Sequence, residues 1–291
     1  MDLLYRYDFW VVAMGTVFLA IASGAVGTIT LLKGESLIGD AIGHSTFPGV
    51  VLAFMLFMQR DPVLLLLGAM VAGSVAFVLI QLIGKQSKLE LDSVLAIVLS
   101  SFFGLGMVLK SYIQGNPNYA GASQSGLQQY IFGQAAYMMK ADLHLIIAVA
   151  VPSLFLLILF YKKIKLFLFD ETFGRVSGYP SVVLYGILLL MSMSLIATGL
   201  KLVGAILISS FFIAPGLAAL QWSSRFHHVL FIAGGIGGVS AFVGTYLSSV
   251  LRGFSTGPSI IVVMTLLALL SMLIGPRGAF RRGKKRSKVN D

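Results

Sequence analysis

The sequence predicts an all-α polytopic membrane protein with about nine transmembrane helices, eight at the fewest. Three observations predict it. Hydrophobic residues are 57% of the chain and charged residues only 11%, against roughly a quarter charged in soluble domains. Apolar runs near 20 residues recur from end to end, and each can cross a hydrocarbon core of about 30 Å as a helix. These runs are continuous, whereas barrel strands are short and alternating, which excludes a β-barrel.

The runs fall at about 9–32, 37–58, 63–84, 93–110, 143–161, 182–200, 202–221, 229–250 and 257–275. The first follows a start with two acids and one base, and no small-residue cleavage site trails a short apolar core. It reads as a retained helix, not a signal peptide. The 126–139 stretch is shorter and re-entrant or interfacial. The 202–221 run decides the count, because re-entry there leaves eight spans. Residues 1–276 form the transmembrane domain and 277–291 a basic tail.

Lysine and arginine set the orientation. One side holds Lys33, Lys85, Lys88, Lys162, Lys163, Lys165, Arg175, Arg225 and the seven tail bases from Arg277 to Lys288, 15 in all. The other holds Arg6, Arg60, Lys110, Lys140, Lys201 and Arg252. The richer side is the cytoplasmic one, so the C-terminus lies inside and, with nine spans, the N-terminus outside. The net charge of +10 reads as a lipid-facing anchor rather than as nucleic-acid binding.

Several chemistries are excluded. With no cysteine there are no disulfides and no thiolate metal sites. Metal ligands must be Asp, Glu, His, Met or backbone oxygen. No Ser/His/Asp constellation or paired carboxylates point to catalysis. No Gly-x-x-x-x-Gly-Lys-Ser/Thr is present to cradle ATP phosphates, so any ATP hydrolysis belongs to another chain.

The informative ionisable residues are Asp40 and His44, inside the second apolar run. Ionisable groups at membrane depth are costly and face a bundle interior or an aqueous cavity. Their i, i+4 spacing puts both on one helix face. A carboxylate plus an imidazole is half of a divalent-cation site that accepts both harder and borderline ions. The structural reading is that Asp40 favours a helix N-terminus and His44 bonds a neighbour. Beside them Gly39 and Gly43 form a Gly-x-x-x-Gly pair, which allows close helix approach. Pro48 and Pro215 break apolar runs, and broken helices can line a pathway.

Two loops stand out. The outer one, 111–129, carries Gly-Asn-Pro-Asn and Gly-Ala-Ser-Gln-Ser-Gly, the composition of irregular wet backbone. The inner one, 161–180, contains Phe169-Asp-Glu-Thr-Phe-Gly-Arg-Val-Ser-Gly. Asp170 and Glu171 favour a helix start and Gly178 a stop. Phe169, Phe173 and Val176 then share one face of a helix of about two turns. It is either an interfacial amphipathic helix or a docking element for a cytoplasmic engine. The other ionisable groups are weaker candidates. Asp92 reads as an N-cap, Asp142 and His144 lie off one another's face at a helix edge, and His227-His228 reads as a solvated turn. The 12 methionines read as gap-fillers.

The segment Leu32-Lys-Gly-Glu-Ser-Leu-Ile-Gly-Asp-Ala-Ile-Gly-His-Ser-Thr-Phe-Pro-Gly resembles the signature of the ABC-3 family, the permease subunits of bacterial ATP-binding-cassette importers for zinc, manganese and iron. Lys33, Gly39, Asp40, Ala41, His44, Pro48 and Gly49 occupy its places; Gly43 and Thr46 stand where the family often has Ser and Ala or Val. Three further stretches agree: Asp92-Ser-Val-Leu-Ala-Ile, Tyr130-Ile-Phe-Gly-Gln, and Val203-Gly-Ala-Ile-Leu-Ile-Ser-Ser-Phe-Phe-Ile-Ala-Pro-Gly. The 169–178 stretch is similar to the family's coupling loop.

The resemblance implies a multi-pass permease in the bacterial inner membrane, paired with a second copy or a sister permease. A cytoplasmic ATPase subunit would dock on Phe169, Asp170, Glu171, Phe173 and Gly178. An extracytoplasmic binding protein would deliver the metal, with 111–129 as its first candidate contact. The metal is transported substrate and no cofactor stays bound. Asp40 and His44 would be its ligands, and two copies could converge to give up to four. An ion-coupled transporter or channel without an ATPase, and a non-transporting scaffold, are the alternatives; neither accounts for both the Asp40–His44 pair and the 169–178 helix.

Overall fold

The computed structural model describes residues 7–59, 61–119, 135, 138–251 and 253–278. Those residues form helices α1 (Tyr7–Leu32), α2 (Ser36–Ser45), α3 (Phe47–Phe57), α4 (Pro62–Gln86), α5 (Leu91–Gly115) and α6 (Lys140–Leu159). After them come α7 (Tyr161–Phe169), α8 (Glu171–Val176), α9 (Ser181–Val203), α10 (Ala205–Leu220), α11 (Phe226–Val250) and α12 (Thr256–Ile274). No strand occurs among the described residues.

Eight described segments are long and apolar enough to cross a bilayer, counting Leu37–Phe57 as one across α2 and α3. The ninth expected span is the shorter Leu207–Leu220 part of α10. At 16 residues α10 is about 24 Å long at 1.5 Å per residue, yet Val203 before it lies by Gly257 and Gln221 after it by Gly275, the two ends of α12. Gly204 joins it to α9 with φ +82°, which a residue with a Cβ adopts only at a cost.

Helices in lipid gain little from burying apolar surface, so packing rests on close backbone approach at small residues. The central helix α1 is buried along most of its length. A Cβ on its Gly27 would strike the Phe212 carbonyl of α10, and α3 and α4 cross where Gly49 and Gly68 face each other's carbonyl oxygens. The Gly39–Gly43 pair does not serve this purpose. Cβ atoms there would meet only the side chains of Phe212 and Ile196, at 3.8 and 3.5 Å. The close approaches lie elsewhere because the shared face meets side chains, not a neighbour's backbone.

Side-chain contacts group the ends of the helices. Lys33 lies over the Phe167 ring at 4.7 Å, and the Arg277 N–H donates to the Gln221 carbonyl. Lys140 lies over the Tyr7 ring at the other end of α1. Residues expected on one membrane side are therefore neighbours. The tail beyond residue 278, residues 120–129 of the outer loop and the Tyr130 stretch lie outside the described residues. The outer loop starts later than expected, since α5 continues to Gly115 and a 3-10 turn covers Pro117–Tyr119.

Candidate metal-ion site

The site is built on a helix break. Pro48 has no N–H for the His44 carbonyl, and its ring crowds that carbonyl. The chain stops at Ser45 and restarts at Phe47. Thr46 bridges the break: its N–H donates to the Ile42 carbonyl at 2.9 Å and its Oγ1 to the Gly43 carbonyl at 2.7 Å. The last turn of α2, which carries His44, is thus held in place without a continuous helix.

Helix α2 packs among α1, α4, α5, α9 and α10, yet one stripe stays open. Ile38, Ala41, Ile42 and Ser45 are buried. The Asp40 side chain is 39% exposed and that of His44 25%. His44 Nε2 stands 3.8 Å from Asp40 Oδ1. Two donors bound to one ion at about 2.1 Å each lie at most roughly 4.2 Å apart, so the pair is already within chelating distance. Phe103 of α5 fixes the imidazole, its ring edge-to-face with His44 at 5.4 Å between centroids.

Ser209 of α10 completes the group. Its hydroxyl donates to Asp40 Oδ1 at 2.6 Å, orienting the carboxylate as partners beyond the ligands do in metal sites. Among the described residues no cluster of three or more His, Asp or Glu could hold a metal. The described residues of one chain thus offer two ionisable candidate ligands at this place, on an open face.

The N-terminal end of α2 is held differently. Lys33 Nζ pairs with Glu35 Oε1 at 3.1 Å and lies 3.7 Å from the Tyr185 ring centroid. The Tyr185 hydroxyl donates to Glu35 at 3.4 Å and accepts from Gln81 at 3.0 Å. Since Lys33 also lies over Phe167, this cluster joins the start of α2 to α4, α7 and α9.

Within the 169–178 segment the helix runs over six residues, Glu171–Val176, close to the two turns expected but starting later. Asp170 breaks the chain between α7 and α8 at φ −152°, and its Oδ1 accepts the Phe173 N–H at 2.8 Å. Phe169 therefore ends α7, edge-on to Phe226 of α11, and does not share a face of α8 with Phe173 and Val176. Gly178 ends the segment as expected, at φ +79°. Phe173 is 58% and Val176 83% exposed.

A sequence profile of the ABC 3 transport family matches residues 6–275. The chain belongs to the ABC 3 transport family. The manganese transport system membrane protein MntC of Bacillus subtilis is 42% identical over 268 residues, covering 92% of this chain and 61% of that protein. The chain thus spans under two thirds of that relative's length. The zinc transport system membrane protein TroC of Treponema pallidum is 36% identical over 291 residues, covering 100% of this chain and 97% of that one. Among solved structures, PsaBC from Streptococcus pneumoniae in complex with Fab matches with TM-score 0.85 and 26% identity, over 98% of this chain and 97% of that chain.

For this ABC 3 chain, sequence reasoning singled out Asp40 and His44, and the structure brings them together. It missed Ser209, Phe103 and the Lys33–Glu35–Tyr185 cluster. The adjacent pair Ser209-Ser210 in an apolar run was the available signal. Asp92 is not a cap: α5 starts at Leu91 with Glu90 before it, and Asp92 lies exposed in the first turn, where it favours the helix dipole. Asp142 accepts the Met139 N–H at 3.1 Å, a local helix-start role. His227 and His228 are not in a loop but in the first turn of α11.

Proposed function

We propose that this chain is the membrane permease subunit of an ATP-binding-cassette importer for divalent first-row metal ions, and that Asp40 and His44 contact the metal in transit. The observation that carries this is the Asp40–His44 pair. In a family of transport proteins, a carboxylate and an imidazole stand 3.8 Å apart on the open face of a helix that is otherwise packed. Two ligands hold an ion weakly enough to release it. The chain acts beside a second permease, and if the open stripes of two copies meet about a two-fold axis, four ligands converge.

One carboxylate and one imidazole serve manganese, zinc and iron(II) alike. The two relatives described above carry manganese and zinc in their names, and we favour those two, with iron(II) as the third. A separate ATPase subunit docks on the α7–α8 segment, where Phe173 and Val176 are exposed and Asp170 and Gly178 fix the helix ends; Phe169 and Glu171 border it. The Lys33–Tyr185–Phe167 cluster links that segment to α2, so movement at the ATPase reaches the helix that carries the metal ligands. An extracytoplasmic binding protein supplies the ion. The C-terminus is cytoplasmic, following the excess of Lys and Arg on its side.

The test is uptake of radiolabelled manganese and zinc by cells expressing this chain with its ATPase and binding protein. The wild type accumulates one metal, and Asp40→Ala and His44→Ala abolish this at matched membrane expression. Unchanged uptake in the variants would remove these residues from the pathway. No uptake by wild type with either metal or iron(II) would overturn the importer reading.

A further inference from the structure

Away from Asp40 and His44, an apolar groove of about 540 Å³ lies between α1, α6 and α11. That volume lies within the range of small-molecule sites, about 300–1,000 Å³. No residue lining it belongs to α2, α5 or α10, so it is separate from Asp40 and His44. Ile21 and Ala25 of α1 line it together with Ile158 of α6 and Phe231 of α11, and both of the latter are largely exposed. Its breadth comes from Gly235, where a Cβ would meet no atom within 4 Å.

The groove has a direction. Along α11 its lining runs from His227, in the first turn, to Gly235. The eight steps between them amount to roughly 12 Å of depth from the helix end. Tyr161, the first residue of α7, lines the same end and stacks on Phe226 at 5.5 Å. That end is basic. His227 and His228 lie with ring centroids 4.1 Å apart, and Lys165 stands one turn along α7 from both Tyr161 and Phe169, whose rings meet Phe226 beside them. Lys165, Arg225 and His228 are exposed. Asp170, the carboxylate that follows α7, is taken up by the α8 cap.

We propose that this groove is a binding site for an anionic phospholipid, with one acyl chain along α11 and α6 and the phosphate against Arg225, His228 and Lys165. An apolar channel in a bilayer with a cationic rim at the membrane edge is complementary to that ligand and to no water-soluble one. Basic pockets between helices recognise anionic headgroups in this way. The neighbouring α7 places the headgroup beside the segment on which the ATPase would act.

Native mass spectrometry of the full-length chain tests it, with phosphatidylglycerol, phosphatidylcholine or inorganic phosphate added to the detergent. Phosphatidylglycerol stays bound after phosphatidylcholine has been stripped. Gly235→Leu, which fills the groove, lowers its retention at least tenfold. Ile158→Trp does the same from the facing helix, at a side chain 74% exposed whose enlargement leaves the fold intact. Lys165→Gln and Arg225→Gln each weaken retention about fivefold. Equal retention of the two lipids overturns the proposal. So does retention that survives both groove-filling variants, which would mean surface attraction alone. Displacement of the lipid by inorganic phosphate at equal concentration also overturns it, because the cations would then bind an anion without help from the groove.

Discussion

Helix α2 has one charged cluster at its start and another nearer its end, and they are built in opposite ways. At its start, Lys33 is paired with Glu35 and stacked on Tyr185, and Tyr185 bonds Glu35 and Gln81. Near its end, Asp40 and His44 remain partly exposed, with Ser209 on one carboxylate oxygen and Phe103 beside the ring. A cluster whose groups satisfy one another holds position; one with lone pairs left over can take a ligand. On the proposed reading, the difference would separate a residue that keeps α2 in place from one that meets the ion, though both are charged groups in one membrane segment.

The largest test of that contrast is at the open cluster. Asp40→Ala or His44→Ala is expected to lower metal uptake more than 100-fold while the unfolding free energy falls by no more than about 1.5–3 kcal/mol, since Asp40→Ala loses one hydrogen bond to a carboxylate. Thermal melts of the purified variants, run beside uptake, check both halves. Loss of uptake accompanied by a collapse in stability would make the pair structural and erase the contrast.

The next effect is at the exposed end of the coupling segment. If Phe173 anchors an ATPase subunit, Phe173→Ala weakens the complex by about 2 kcal/mol, or roughly thirtyfold, as buried aromatic anchors do at interfaces. Metal binding to the purified permease stays unchanged. Co-purification of the ATPase with the variant reads the first effect, and a metal titration the second. Undiminished co-purification would place the docking surface elsewhere.

The sequence reading reached the fold, and half of the residues that make up the candidate site, for physical reasons. Length and hydropathy report directly on bilayer crossing, so eight crossings and the shorter α10 were visible from apolar runs alone. Asp40 and His44 were visible because charge in such a run is costly. Ser209 was not, since a serine in an apolar helix usually bonds its own i−4 carbonyl, as Ser153 does with Val149. Spacing shows which residues share a face but not what that face meets. That is why the Gly39–Gly43 pair misled and the Gly49–Gly68 crossing went unseen. Phe169 was assigned to the wrong helix because Asp170 was read as continuing a helix start, whereas its carboxylate caps α8 and breaks the chain before it.

Ser209 supplies a smaller effect. It touches the carboxylate rather than the ion, so Ser209→Ala is expected to weaken apparent metal affinity about tenfold, in the lower range for partners of metal ligands. The maximal rate changes little, and Ser209→Thr, which keeps the hydroxyl, restores most of the affinity. Uptake measured across metal concentrations separates the two parameters. A fall in maximal rate at unchanged affinity would show that Ser209 acts on helix movement instead.

The smallest effect is at the closed cluster. Tyr185→Phe keeps the ring beneath Lys33 but removes the hydroxyl between Glu35 and Gln81. The bond from Gln81 is neutral and the one to the Glu35 carboxylate is long at 3.4 Å, so losing the two together should lower stability by about 1–2 kcal/mol, and metal affinity should not change. Tyr185→Leu also removes the ring, and with it a cation–π contact of about 0.5–2 kcal/mol, so its loss should be the greater. If the cluster transmits movement from α7 to α2, both variants also slow transport at saturating metal, in the same order. A slower rate with full stability would mean the cluster transmits without clamping. Lower stability with a full rate would mean it clamps without transmitting, and the link between the coupling segment and the metal ligands would have to run through α9 and α10 instead.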